Sequence, residues 1–596
     1  MPGPSGPSGL SRAVATFLDE WFALEPVHAT SVGRHERDDR WPDRAPAARP
    51  LRLAFIERWL AAFVGFADAD LDRDERVDRD VLIGLLEDAR FEETQLRTDA
   101  WSPMFWVYLI GDGLFSLIVR EFAPLAIRLD ALAGRAEGLP DVLEAARATL
   151  VGHAGRPVDR FHTSVALDQW PGLIGILDEA LAGGEAAAAA DPEVVAVLPR
   201  LRAARERAAA ALDAMAAWLR DEVLPSAAGE GRLGADWFAA KMAHTLRDPE
   251  MTPERIRTVA EREFDAIRAE MIRIAREIAP HWLGSTPIPE DDADVVRAVL
   301  AAVSREHPAA GDLLAFCRTE LGRIEAFCRE ADLVGLADEP LEIAWTPVFL
   351  RAFGNAMLSS PGPLEPGQKA MFFITPSRDD ATPEQVESRL REDNDRMLRI
   401  LTIHEAVPGH YLQGVYANRV PSLVRSIFYS GVYAEGWAVY VTQVMMDTGF
   451  AAADPALMLC HWKYYLRCVI NARIDVGIHT AAMTEDEAVG LMIDGGFQEE
   501  AEARAKWNRA RLSSTQLSTY FVGSLAFWDL EREVRRRAAV ASGDPRGSAA
   551  VPEPPLVGGF GETPGFRYRD HLEACMNHGG VPMPLLRRLL LGPASD

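Results

Sequence analysis

Apolar residues recur at three- and four-residue intervals along most of this chain, and that spacing predicts helices. From Leu10 to about Gly335 the pattern is helical nearly throughout, with Ser11 to Leu24 and Asp78 to Leu96 as amphipathic runs. Asp191-Pro192-Glu193, after the alanine tract Ala186 to Ala190, and Thr252-Pro253-Glu254-Arg255 are start signals: a capping side chain, then proline at the first helical position. Trp218, Trp237 and Phe238 fall inside such helices as core positions. Between about Leu341 and Pro376 the texture changes. Ile343, Trp345, Val348, Phe349 and Met371-Phe372-Phe373-Ile374 suit extended backbone, and the SSPGPLEPGQ segment is rich in turn residues, so two or more short strands are expected. Helices return at Thr382-Pro383-Glu384-Gln385, and further ones are expected over Asn394 to Ile403, Gly431 to Met446, Pro455 to Met483, Gln498 to Arg511 and Thr515 to Ala538. Thr484 and Glu487 match a capping box, which starts another.

This pattern predicts a mainly α protein. Residues 1–9 are expected to be a disordered leader, 10–335 a helical N-terminal lobe and 336–596 a catalytic helical lobe with short strands, the two lobes forming one integrated domain. At 596 residues the chain is long enough for a substantial core. Its apolar runs are broken by charge before the roughly 20 residues a membrane span needs, and MPGPSGPSG lacks the apolar stretch of a signal peptide. A soluble, cytoplasmic protein is therefore expected. Five cysteines without a CxxC pair point to buried reduced thiols rather than a disulfide framework. The 63 basic and 89 acidic residues leave a net charge of −26, which repels polyphosphate, so nucleic acid is not an expected partner; the interrupted apolar runs leave no membrane partner expected either.

The candidate chemistry lies in His404-Glu405-Ala406-Val407-Pro408-Gly409-His410. Two imidazoles with a carboxylate beside the first are the residues a zinc hydrolase needs, since imidazoles bind the ion and the glutamate takes a proton from the water it activates. In the familiar HExxH helix the histidines are four apart and share a face; here they are six apart. Six steps of a straight helix turn the second ring about 240° from the first. Between them stand Pro408, which cannot donate to the His404 carbonyl, and Gly409, which tolerates unusual backbone. A break there would bring His410 back beside His404.

Two histidines leave a catalytic zinc short of one protein ligand. Glu435, 25 residues after His410 in the next expected helix, is the candidate third. Glu405 is then the general base. The oxyanion formed on an attacked amide needs a donor, for which His479 and Tyr520 are candidates. Arg473, Asp475, Arg509 and Gln516 fall near them, and Asp475, four residues before His479, is placed to orient its ring.

HEAVPGHYLQ, followed by YAEGWAVY, RIDVGIHT and QLSTYFVG, resembles the bacterial domain-of-unknown-function family 885, a helical group similar to zinc peptidases of the thermolysin-like clan. The likeness extends over roughly Thr252 to Leu591 and to the upstream AMAAWLRDEVLP. It implies a large helical zinc-peptidase-like fold with a deep cleft and a small β element. It also implies one Zn2+ held by His404, His410 and Glu435, Glu405 as base, and Arg473, Asp475, His479, Gln516 and Tyr520 in the cleft. The Ala356-Met357-Leu358 region would be a substrate-facing edge. The chain departs from the family in having Ser514-Thr515 where Pro-Gly is usual, and Ala510 where an aromatic residue commonly follows the arginine. Both departures bear on substrate preference rather than metal binding.

The function expected from these residues is a zinc-dependent metallopeptidase acting on short peptides, as a dipeptidase or carboxypeptidase. Two other readings share them: a metal hydrolase of a non-peptide amide, and a silent peptide-binding protein with a vestigial zinc site. An intact glutamate beside His404 argues against the last, because a structural ion has no use for a base.

Overall fold

The apolar-period runs fold into helices, and their start signals cap them. In the computed structural model, which describes residues 8–347, 351, 356–378, 380–543 and 560–592, the Thr252 hydroxyl accepts the Arg255 amide at 3.2 Å and Asp191 accepts those of Glu193 and Val194. Thr382 with Gln385, and Thr484 with Glu487, close as complete capping boxes. Ser8 caps the first helix, which starts at Gly9, so these two residues of the stretch expected to be a disordered leader belong to a helix start; residues 1–7 lie outside the described residues.

Contacts divide the chain into two units. The first takes the described residues up to Gly231, with those of 347–353 and 361–369; its main helices are α1 (Gly9–Leu24), α2 (Arg49–Val64), α3 (Leu125–Thr149), α4 (Arg160–Ala187) and α5 (Pro192–Trp218). Helix α5 packs against both α3 and α4, and the Trp170 indole of α4 donates to the Leu212 carbonyl of α5 at 2.9 Å.

The second unit is built around one buried helix. It contains α6 (Ala235–Leu246), α7 (Pro253–Leu283), α8 (Leu313–Glu330), strands β1 (Leu341–Trp345), β2 (Ala356–Ser359) and β3 (Ala370–Ile374), then α9 (Asp395–Glu405), α10 (His410–Asn418), α11 (Gly431–Asp447), α12 (Pro455–Thr480), α13 (Glu500–Leu512) and α14 (Gln516–Ala541). Helix α12 is buried on nearly every face, as a helix apolar all round must be, with α7, α9, α13 and α14 against it. Because α7 lies along α12, residues 232–346 group with this unit. The change of texture near residue 335 marks the entry of the strands.

The sheet has the order β1-β3-β2, with β1 parallel and β2 antiparallel to the central β3, so that Ile343 and Leu358 flank Phe372. Ile343, Phe372 and Ile374 pack with Leu313 and Cys317 of α8 and Leu398 of α9, which ties the sheet to the helix carrying His404. β2 is an edge strand and its residues are half-exposed. Val348 and Phe349 lie outside the described residues.

Helices α11 and α14 cross backbone to backbone. A Cβ on Gly436 would stand 2.3 Å from the Gly523 carbonyl carbon, and one on Gly523 2.2 Å from the Val432 carbonyl oxygen. Backbone cannot step aside as a side-chain tip can. Gly436→Ala is therefore expected to destabilise the protein by about 3 kcal/mol through overpacking, read as a lowered midpoint in denaturant unfolding. An unchanged midpoint would show that the crossing tolerates a methyl group.

All five cysteines are buried and unpaired, and no helix among the described residues is long and apolar enough to cross a membrane.

Candidate metal centre

Helix α9 starts at an Asn394 cap, whose side chain accepts the Arg396 and Met397 amides, and ends on Glu405. The four residues Ala406 to Gly409 turn the chain, and α10 begins on His410. The predicted deviation at Pro408-Gly409 is thus a complete break between two helices. The Gly409 amide bonds the Ile403 carbonyl at 3.1 Å and the Leu412 amide that of Ala406 at 3.2 Å, while the Val407–Pro408 peptide is cis. A Cβ on Gly409 would meet the His404 carbonyl oxygen at 1.9 Å. Close approach, not a left-handed φ, is what requires glycine here.

This break brings the rings together: the His404 and His410 centroids are 4.7 Å apart, nearly perpendicular. Glu435, in the first turns of α11, places an Oε2 oxygen 3.7 Å from His410 Nε2. One ligand atom from each of His404, His410 and Glu435 lies within 4.8 Å of the others, near the span one ion bridges with bonds of about 2.0–2.2 Å. The next two residues of α11 hold this geometry: Gly436 admits α14, and the Trp437 indole donates to the Pro408 carbonyl at 2.9 Å.

Burial, with the neighbouring His410 charge, pushes the His404 pKa down to about 3, so the ring is neutral, as a ligand must be. For His410 burial acts the same way, but Glu435 and Glu405 outweigh it and raise the value to about 9. Burial pushes the Glu405 carboxyl up to about 7; Glu435 adds to this and His410 opposes it. Two carboxylates thus favour positive charge at this spot. The backbone N–H of Leu358 in β2 faces the Glu405 carboxylate, which sets the edge strand beside the centre with Ala356 and Met357 along it.

Of the other predicted residues, Tyr520, Gln516 and Arg509 cluster near Glu435. Arg509 Nη2 donates to the Gln516 side-chain oxygen at 3.1 Å and to the Tyr520 hydroxyl at 3.2 Å, and Gln516 Nε2 donates to that hydroxyl at 3.3 Å. The hydroxyl oxygen accepts both, leaving its proton to be given elsewhere. Burial raises the Tyr520 pKa further, so it stays a neutral donor.

His479, Asp475 and Arg473 are placed differently. His479 Nδ1 accepts the Leu233 amide at 3.0 Å, Nε2 donates to the Ala510 carbonyl at 3.0 Å, and the ring stacks on Phe238. With both nitrogens engaged by backbone, His479 is not arranged as the oxyanion donor the sequence suggested; it fixes the end of α13. Asp475 does not orient that ring, since Oδ1 is 3.8 Å from Nε2. Its carboxylate takes the Thr515 and Ser518 amides at 3.1 and 3.0 Å and the Ser518 hydroxyl at 2.7 Å, capping α14 beneath Tyr520. Arg473 lies over the Phe264 ring of α7, 4.6 Å from its centroid. Sequence proximity failed for these three because successive turns of a buried helix face different neighbours. The Ser514-Thr515 departure falls at the α14 cap, where Thr515 takes a φ of +73° that favours glycine and Lys241 Nζ donates to the Ser514 carbonyl and hydroxyl at 2.9 Å.

One side chain at the centre escaped sequence reasoning. The buried Tyr464 hydroxyl of α12 is 2.8 Å from His404 Nδ1, which leaves Nε2 of that ring for an ion. No local signal marks it, since a tyrosine in an apolar helix looks like packing. Tyr464→Phe is expected to weaken zinc binding by about 10- to 100-fold, measured by competition with a chromophoric chelator. Unchanged affinity would assign the tyrosine to packing alone.

None of the curated proteins matches the chain. A solved structure described as "a putative lipoprotein of unknown function from Shewanella oneidensis" is 28% identical and superimposes with a TM-score of 0.79, over 98% of this chain and 100% of that one. A second, "the putative lipoprotein from Colwellia psychrerythraea", shares the fold at 17% identity, with a TM-score of 0.78 over 98% of each chain. The model of one family matches residues 26–590, nearly the whole length and every residue of the centre described above, and the chain belongs to that family, bacterial proteins of unknown function (DUF885).

Proposed function

We propose that the protein is a zinc-dependent metallopeptidase, similar in plan to thermolysin-like-clan enzymes, that hydrolyses short peptides in a cleft beside β2 as a dipeptidase or carboxypeptidase. The observation that carries this reading is the convergence of His404, His410 and Glu435, with Glu405 next to them on the side where Leu358 of β2 lies. Two imidazoles and a carboxylate are a donor set of catalytic rather than structural zinc, because they leave a coordination position open.

When bound, zinc supplies a Lewis acid and lowers the pKa of water. Glu405 accepts the proton of the attacking water and passes it to the leaving amine, acting first as general base and then as general acid. Tyr520 donates its hydroxyl proton to the oxyanion developing on the attacked carbonyl, held in place by Arg509 and Gln516. The free edge of β2, at Ala356 and Met357, pairs with the extended substrate backbone. Asp475 and His479 position the helices that carry Tyr520 and Arg509.

The test is metal analysis together with a chelator-controlled screen of short peptides blocked at either terminus. One zinc per chain is expected, with hydrolysis lost on chelation and regained with zinc. Blocking one terminus should stop cleavage and so identify the end recognised. Bound zinc with peptide affinity and no turnover would favour a binding protein instead.

A further inference from the structure

The candidate centre is bordered by cations. Arg467 of α12 lies with its guanidinium 5.8 Å from the centroid of Tyr464, the ring whose hydroxyl meets His404, and Arg509 of α13 holds the Tyr520 hydroxyl at 3.2 Å. Lys506, one turn before Arg509 on α13, feels the charge of both. The neighbouring acids are fewer than the cations they face. Glu502 takes Arg467 Nη1 at 2.5 Å, and Glu392 takes Lys463 Nζ at 3.1 Å; Glu502 also answers the charge of Lys506, so two carboxylates face three cations. Lys506 has no hydrogen-bond or ion-pair partner among the described residues, although protein surrounds it and only part of it reaches solvent. Burial and the two guanidinium charges hold its pKa down to about 7, with Glu502 opposing them.

An ammonium kept beside two guanidinium groups, with one shared carboxylate to answer it, is costly, and a ligand anion would offset that cost. One excess cation matches one negative charge. In a chain of net charge −26, an anionic ligand is repelled by the protein as a whole and needs a local positive site to be held.

We propose that Lys506, flanked by Arg467 and Arg509, is a subsite for a carboxylate of the substrate, so that the peptide presented to the metal centre bears its C-terminal carboxylate or an acidic side chain at this position. The proposal rests on the reading of the centre as one that takes peptides. It assigns to Lys506 a positioning and specificity role, with no part in proton transfer.

Three peptides test it against the zinc-loaded full-length Glu405→Gln protein, in which binding is measured by calorimetry without turnover: Gly-Ala-Ala as the free acid, its C-terminal amide, and Gly-Ala-Glu amide. The free acid is expected to bind about 10- to 100-fold more tightly than the amide, the range of a charge-assisted hydrogen bond. If Gly-Ala-Glu amide recovers that affinity, the carboxylate comes from the side chain; if not, from the terminus. Adding Lys506→Met should collapse the ratio between acid and amide to near one at unchanged zinc content, while Lys506→Arg keeps most of it. Removing a charge that no hydrogen bond holds and two guanidinium groups repel should not lower the melting temperature, so the variant remains readable, and Lys506→Gln provides a second. Equal binding of acid and amide to the Lys506 protein, or no binding of either, overturns the subsite. Hydrolysis by the Glu405 enzyme without carboxylate preference would leave the peptidase reading standing and remove this one; carboxylate preference in binding without any hydrolysis would do the reverse.

Discussion

Glu405→Gln is expected to retain zinc at the wild-type stoichiometry and to lose about 10²- to 10⁴-fold in turnover, the range a positioned general base supplies. The amide is nearly isosteric with the carboxylate, and Glu405 is not among the three groups whose ligand atoms converge. What it loses is the ability to accept a proton. Zinc content by elemental analysis and kcat on a cleaved peptide would be read on the same preparation. A fully metallated variant with wild-type turnover would remove Glu405 from the mechanism; one that had lost its zinc would recast the residue as part of the binding site.

Gly409→Ala is expected to lower zinc affinity by at least about a hundredfold. Substitutions that only reorient a ligand cost about 10- to 100-fold, and this one moves the ligand itself. The added methyl group would lie 1.9 Å from the His404 carbonyl oxygen and 2.3 Å from that of Ile403, both backbone of the helix that carries the first ligand. The chain can relieve the clash only by opening the turn, which carries His410 away from His404. A competition titration for zinc reads the effect, and far-ultraviolet circular dichroism confirms that the helices persist. Wild-type affinity in the alanine variant would mean that the turn is not what brings the two rings together.

Much of the fold was legible because its signals are local. Thr252, Thr382 and Thr484 cap helices where the sequence placed them, since a capping side chain and the amide it accepts are only three residues apart. The strands at Leu341–Trp345 and Ala370–Ile374 followed from a change in residue type, but their direct parallel pairing, with β2 between them only in the sequence, did not. The grouping of 232–346 with the second unit depends on α7 lying along α12, and both helices carry the same apolar period as the rest.

At the centre the division is similar. His404, Glu405, His410, the break between them and Glu435 were marked by the sequence, because the chemistry demands those residue types and Pro-Gly forbids a continuous helix. Tyr464 and the placing of Lys506 beside Arg467 and Arg509 were not, as nothing near them in the chain sets them apart from packing or a solvated face. His479 and Asp475 stood in the right motif with a different task, since the partners that claim them, Leu233, Ala510, Thr515 and Ser518, arrive from other helices. By itself the sequence determined the helical class, the caps, the break and the identity of the groups that converge, all matters of covalent geometry and hydrogen bonds a few residues long. The tertiary structure alone decided which side chains face one another across α9, α11, α12, α13 and α14, because those contacts depend on helix rotation and close approach, which residue spacing does not encode.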